Sequence, residues 1–397
     1  MLVEIPFLLT AYHTPETLYP TALAWVNDFD YVFMQHIFLR LLFLICFIGT
    51  SLLYRPKSLN NKVIKFDVKI SHLVIVLLLL LFSYVSFLNQ VGGLTLLLMN
   101  MSNKSELIKG SAFFRLTFVY STFLFSSLYV CYISQNRKHS KILFFIWMFL
   151  LFLMLASYGE RKSAVILLIV IALCWHLFIK PINLISAKIL ASLLFVIFFA
   201  ALAPPLREAG AFDKYMLAPS ELLIDMSPHL GELFRRFSDI DISIFIFSYF
   251  EGANDFWYLS TLNNFFVGFL PSSLYVGKPP LDEGVLIYNL ANGNAPPIDA
   301  SFEKYIPVGW PLSRYTAGWV HFGYFGVVVY SVLTSWFLIM LNNFTFKKSS
   351  VYLIPLYVTA VVSGVSISNA SVFNFLIACF VIFMSFILIK AYDALFS

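Results

Sequence analysis

Apolar stretches of roughly 17 to 25 residues, long enough to cross the hydrocarbon of a bilayer, begin near Phe33, Ser71, Phe113, Ile142, Ser163, Ile185, Thr316, Val351 and Ser371. Short polar segments separate most of them. The pattern predicts an all-α polytopic integral membrane protein with about nine or more transmembrane helices. It divides the chain into an N-terminal segment at 1–32, a first transmembrane bundle at 33–203, a large loop at 204–315 and C-terminal transmembrane helices at 316–397, together one membrane domain. The loop far exceeds the roughly two to eight residues usual between helices. Within it, Ile240–Phe250 and Phe256–Leu270 are apolar but too short to span, which predicts re-entrant or interfacial pieces. Leu222, Leu223, Met226, Leu230, Leu233, Phe234 and Phe237 follow helical spacing from Ser220 onward. That spacing predicts an amphipathic surface helix interrupted at Pro228.

Charge orients this frame. Arg55, Lys57, Lys62, Lys65 and Lys69 follow the first apolar run; Arg137, Lys138 and Lys141 follow the third; Lys180 with Lys188 and Lys347 with Lys348 continue the alternation. The positive-inside rule assigns these segments and the C-terminus to the cytoplasm, leaving the N-terminus and the 204–315 loop outside. Residues 1–30 contain Glu4, Glu16, Asp28 and Asp30 but no Lys or Arg. They read as a retained outer segment rather than a signal peptide.

Composition agrees with a chain immersed in lipid: 60% of residues are hydrophobic, 12% are charged and mean hydropathy is +0.84. The net charge of +5 does not indicate nucleic acid, because acids outnumber cations in the large loop and leave no polyanion-binding surface. Cys46, Cys131, Cys174 and Cys379 all lie in apolar runs without paired spacing, so neither a disulfide framework nor a metal site is expected. P-loop, GxGxxG, HExxH and nucleophile-elbow patterns are missing, and no cofactor is expected.

The candidate chemistry therefore rests on discrete cations and a few bases. The turn Ser157–Ser163 places Arg161 and Lys162 on the outer side, where a guanidinium fork suits phosphate oxygens; a snorkelling pair countered by Glu160 is the plainer alternative. Arg207, Arg235, Arg236, Lys278 and Arg314 are further candidate diphosphate ligands in the loop, although neighbouring acids such as Glu208 offer them partners. The Pro- and Gly-rich segment from Phe269 to Pro297 predicts irregular backbone around a polar cavity. Trp257, Tyr275, Trp310 and Trp319 are candidate sugar-stacking faces, with an interfacial aromatic belt as the alternative. His321 at the start of the seventh run, or Asp282 and Glu283, are the candidate bases.

The order of these elements resembles the Wzy-type oligosaccharide repeat-unit polymerases, the O-antigen polymerase family. The resemblance covers most of the chain and rests on Gly159-Glu160-Arg161, Arg235-Arg236-Phe237-Ser238, Leu270-Pro271 through Lys278-Pro279, and Phe322-Gly323-Tyr324-Phe325-Gly326. It implies a membrane fold like that of GT-C glycosyltransferases in a bacterial inner membrane. It also implies a metal-independent transfer that joins undecaprenyl-diphosphate-linked oligosaccharides into a surface polysaccharide at the periplasmic face. Membrane lipid, a chain-length regulator and a flippase are the implied partners. Members often carry an acid shortly before the final Gly-x-x-Gly; here Gly318-Trp319-Val320-His321 fills that stretch. A flippase of lipid-linked sugars and a ligase using the same donor are the competing readings.

Overall fold

The computed structural model describes residues 8, 11–54, 68–99, 107–108, 110–135, 141–157, 161–183, 198, 201–202, 205, 214–215, 217–218, 220–226, 239–251, 254–268, 275, 277–310, 312–347, 351–362 and 368–396. Among these every regular element is a helix, and there is no strand. Five helices are long and apolar enough to cross a membrane. They are α2 (Phe29–Leu53), α3 (Ile70–Gln90), α5 (Ala112–Gln135), α11 (Arg314–Lys347) and α13 (Asn369–Phe396). By helix length and hydropathy the chain is a multi-pass membrane protein.

Short helices fill the intervals: α1 (Pro20–Leu23), α4 (Leu94–Met99), α6 (Lys141–Ser157), α7 (Arg161–Phe178), α8 (Ile240–Glu251), α9 (Leu262–Gly268), α10 (Glu283–Ala291) and α12 (Ile354–Val362). The runs predicted from Ile142 and Ser163 thus become α6 and α7, and the run from Val351 a single 3-10 turn followed by α12. The run predicted from Ile185 lies outside the described residues. So does the part of the surface helix beyond 226, while 220–226 is helical as its spacing predicts.

The chain forms two compact units. The first comprises Met1–Pro56, Gly231–Leu341 and Ser363–Asn374; the second comprises Lys57–Leu230, Asn342–Val362 and Phe375–Ser397. In the first, α8 packs against α1 and α2 around a core that includes Phe33, Leu39, Phe245, Phe247 and Trp319. Hydroxyls bind the long helices of this unit together: Ser331 Oγ donates to the Phe43 carbonyl at 2.6 Å and Ser335 Oγ to that of Phe47 at 3.0 Å. Small residues four apart let two backbones approach, and in lipid that contact supplies packing which hydrophobicity cannot.

In the second unit α5 is central, packed by α3, α6, α7 and α12. Its hydroxyls turn inward onto their own helix: Thr117 Oγ1 donates to the Phe113 carbonyl, Thr122 Oγ1 to that of Phe118, and Ser126 Oγ to that of Thr122. Phe82, Phe149 and Phe383 stand more than half exposed, as expected of surfaces covered by lipid.

The feature that shapes the first unit is a break in α11. A straight helix of its 34 residues would be about 51 Å long, well beyond a hydrocarbon layer of roughly 30 Å. Instead Phe322 (φ −144°, ψ 20°) and Gly323 (φ +59°, ψ −140°) leave helical geometry. Across the break the halves fold close. A Cβ on Gly318 would lie 2.7 Å from the Gly326 carbonyl oxygen, and one on Gly326 would overlap that of Gly318. Glycine is required at three points here: for the positive φ of 323 and for the touching backbones of 318 and 326. The span predicted to begin near Thr316 is therefore two helical pieces. Only the segment after Gly323 runs unbroken over a membrane-crossing length.

Candidate functional site

The break gathers a polar centre inside the first unit. Residues 254–261 pair with the last turn before it: the Trp257 amide donates to the Val320 carbonyl at 2.9 Å and the Tyr258 amide to that of His321 at 3.0 Å. Tyr258 adopts φ +50°, a left-handed conformation costing about 1–2 kcal/mol for a residue with a Cβ. The imidazole Nδ1–H of His321 returns a hydrogen bond to the Tyr258 carbonyl. Backbone and side chain of one residue thus clamp the strained turn from both sides.

Glu283 approaches from α10. Asp282 caps that helix, its carboxylate accepting from the Gly284 amide at 2.9 Å, which satisfies one of the unpaired donors of the first turn. Gly284 lets the 310 backbone press against α10: the Trp310 amide donates to its carbonyl at 3.0 Å, and a Cβ there would overlap the Trp310 carbonyl oxygen. The tight start turns Glu283 inward, 2% exposed. Its Oε1 accepts from Thr261 Oγ1 at 3.0 Å and lies 3.4 Å from His321 Nε2. Asn369, at the start of α13, donates to the Thr261 carbonyl at 2.6 Å and fixes the threonine in turn.

These contacts assign the imidazole. With Nδ1–H committed to a carbonyl, Nε2 faces the carboxylate oxygen at 3.4 Å, an ion-pair contact without the alignment of a hydrogen bond. His321 and Glu283 therefore form a buried imidazole–carboxylate pair. Glu283 Oε2 and His321 Nε2 are both buried without a hydrogen-bond partner among the described residues. Orphaned buried acceptors are costly. An ionisable group held in that state is a functional candidate on physical grounds.

Trp257 links this pair to an opening. Its ring meets the His321 ring edge-on, with centroids 6.3 Å apart, and it also lines a cleft of about 390 Å³ with Tyr249, Asn254, Asp255, Leu286, Leu290, Asn294 and Tyr305. Tyr305 donates its hydroxyl to the Pro297 carbonyl; burial, with Asp299 nearby, pushes its phenol up to about 12 and keeps it neutral.

The predicted site residues thus separate. His321 and Glu283, 38 positions apart, come together, while Asp282 serves α10 as its cap. Lys278, predicted as a phosphate ligand, donates to the Gly268 carbonyl at 2.6 Å, and burial lowers its pKa; it ties the loop to α9. Of the four aromatic candidates Trp257 lines the cleft. Trp319 is packed among Phe247, Phe256 and Tyr324, and Trp310 sits against Tyr19, Phe245 and Tyr288. Both rings pack with the core, Trp319 buried and Trp310 partly buried. Tyr275 is exposed and Arg314 half-buried at the start of α11. Lys162 is exposed at the start of α7, where Arg161 is the first residue. The Arg161 side chain lies outside the described residues, as do Arg207, Arg235 and Arg236.

Arg40 was among the charged residues that escaped the sequence reading. It sits near the middle of α2, its guanidinium 5.8 Å from the centre of the Tyr315 ring. Tyr315 in turn shares a 2.8 Å hydrogen bond with Ser243. An arginine within an apolar run of spanning length was itself the signal, since such a charge faces protein rather than lipid.

No family model, curated protein or solved structure matches the chain.

Proposed function

We propose that this protein is a membrane-embedded glycosyltransferase that polymerises polyprenyl-diphosphate-linked oligosaccharides. The observation that carries the reading is the buried His321–Glu283 pair, joined through Trp257 to an open cleft of aromatic, amide and carboxylate groups. In the transfer, an acceptor hydroxyl attacks the anomeric carbon of the donor glycan while the bond from that carbon to the diphosphate breaks. The prenyl diphosphate leaves with the bonding electrons, and the hydroxyl proton passes to Glu283 at Oε2, which has no hydrogen-bond partner among the described residues. His321, held by Tyr258, keeps the carboxylate oriented and balances its charge. Arg161, Lys162, Arg207, Arg235, Arg236 and Arg314 are the cations available to neutralise the leaving diphosphate. The reading carries with it a GT-C-like fold, a bacterial inner membrane and an undecaprenyl-diphosphate carrier. It also carries a chain-length regulator and a flippase as working partners.

It places the loop at 204–315 outside and the C-terminus in the cytoplasm. One contact supports that orientation. Lys69, at the start of α3, pairs with Asp393, near the end of α13, at 3.1 Å; both belong to the inner side of the charge pattern.

The broken α11 favours a second reading. Discontinuous helices at buried polar sites are characteristic of transporters, so a flippase of the same lipid-linked sugars accounts for Phe322 and Gly323 as well. Purified protein in proteoliposomes, supplied with a fluorescent polyprenyl-diphosphate-linked repeat unit, separates the two. A ladder of lengthened glycans is the expected result. Transfer of label between leaflets with no lengthening would replace the polymerase by the flippase.

A further inference from the structure

The cleft beside Trp257 has a chemistry of its own. Its floor is apolar, built from Trp257, Leu286 and Leu290, while Asn254, Asp255 and Asn294 stand around it. The amides are partly spent. Asn254 Nδ2 donates to the Tyr249 carbonyl at 2.9 Å, and Asn294 Nδ2 donates to Asn289 Oδ1 at 2.6 Å. Their carbonyl oxygens remain as acceptors. Asp255, an exposed carboxylate, offers acceptors only. The polar edge is thus rich in acceptors and anionic. Such a site recognises a ligand that brings several hydroxyl donors and an apolar face, and it repels phosphate or carboxylate.

From this arrangement we infer that the cleft is a subsite for the uncharged end of a glycan, with hydroxyls on Asn254, Asp255 and Asn294 and the carbon face of a sugar ring on the apolar floor. At about 390 Å³ it falls near the lower end of the roughly 300–1,000 Å³ typical of small-ligand pockets. That size suits the terminus of a repeat unit rather than a long stretch of polymer. The inference deepens the polymerase reading and, in that setting, makes this the acceptor subsite: a sugar seated here has its ring against Trp257, whose own ring meets that of His321. The diphosphate belongs elsewhere, since an acceptor-lined edge disfavours it.

Saturation-transfer NMR on the full-length protein in nanodiscs tests this, with methyl glucoside and methyl N-acetylglucosaminide as neutral probes and methyl glucuronide as the acidic one. Wild type is expected to transfer saturation to both neutral glycosides and not to the glucuronide. Asp255→Ala and Asn254→Ala should each reduce the neutral signal several-fold, and Asp255→Asn should admit the glucuronide. Asp255 and Asn254 are exposed, so these changes leave the core intact; unchanged circular dichroism verifies that.

In the lengthening assay, the Asp255→Ala variant should raise KM for the lipid-linked unit about ten-fold with kcat nearly unchanged, the signature of lost ground-state binding. Neutral signals that survive both alanine variants overturn the subsite even if wild type lengthens glycans. Asp255-dependent binding in a protein that lengthens nothing upholds the subsite and overturns the polymerase.

Discussion

Helices α5 and α11 are both long and apolar, and both carry polar side chains, yet they dispose of them in opposite ways. In α5, Thr117, Thr122 and Ser126 hydrogen-bond to carbonyls one turn back in the same helix. In α11, Ser331 and Ser335 reach the backbone of α2, and His321 reaches Tyr258 and Glu283. A polar group satisfied within its own helix adds a slight bend at most. One satisfied elsewhere determines which segments meet. The comparison teaches that the polar residues of a membrane helix are best sorted by where their partners lie, and that the candidate chemistry belongs to the helix whose partners are distant in sequence.

Mutations can break or sharpen this contrast. The largest effect should come from Gly326→Val, which drives a side chain into the Gly318 backbone; we expect no folded, monodisperse protein by size-exclusion chromatography in detergent. A wild-type elution profile would mean that the halves of α11 are not in contact. Next is His321→Ala, which strands the buried Glu283 carboxylate and releases the left-handed Tyr258. Loss of one partner of a buried pair costs about 3–5 kcal/mol, measurable as reduced resistance to denaturant. A loss below about 1 kcal/mol would show that the two side chains do not act as a buried pair. Ser331→Ala and Ser335→Ala should each cost about 0.6 kcal/mol, the average for interhelical hydrogen bonds in membranes, and should add when combined. Smallest is Ser126→Ala in α5, expected within about 0.5 kcal/mol of wild type because the lost bond was local. If Ser126→Ala exceeds Ser335→Ala, the distinction between the helices fails.

Much of this architecture was legible in the residues. The apolar runs from Phe33, Ser71, Phe113 and Ser371 predict helices whose starts fall within a few residues of those observed. Periodicity and length report local structure, and a membrane-spanning helix is local structure. The break at Phe322 was hidden because the run from Thr316 stays apolar through it, although Gly318, Gly323 and Gly326 marked the place. Asp282 had the position of a helix cap, a short acceptor just before Gly-Val-Leu-Ile, and α10 uses it so. The approach of Glu283 to His321 left no such trace: it depends on irregular backbone in residues 254–261 and 277–310, and no periodic pattern encodes which loop residues meet. Arg40 was concealed by the opposite bias, since one cation in a long apolar run barely alters its hydropathy.

The proposed transfer requires Glu283 to take the acceptor's proton. Its most direct measurement is single-turnover glycan transfer by reconstituted Glu283→Gln, whose amide keeps the shape and the Thr261 contact but accepts no proton. A fall of about 10²-fold or more, within the range for losing a general base, with donor binding retained, is the predicted result. Transfer at the wild-type rate would contradict it.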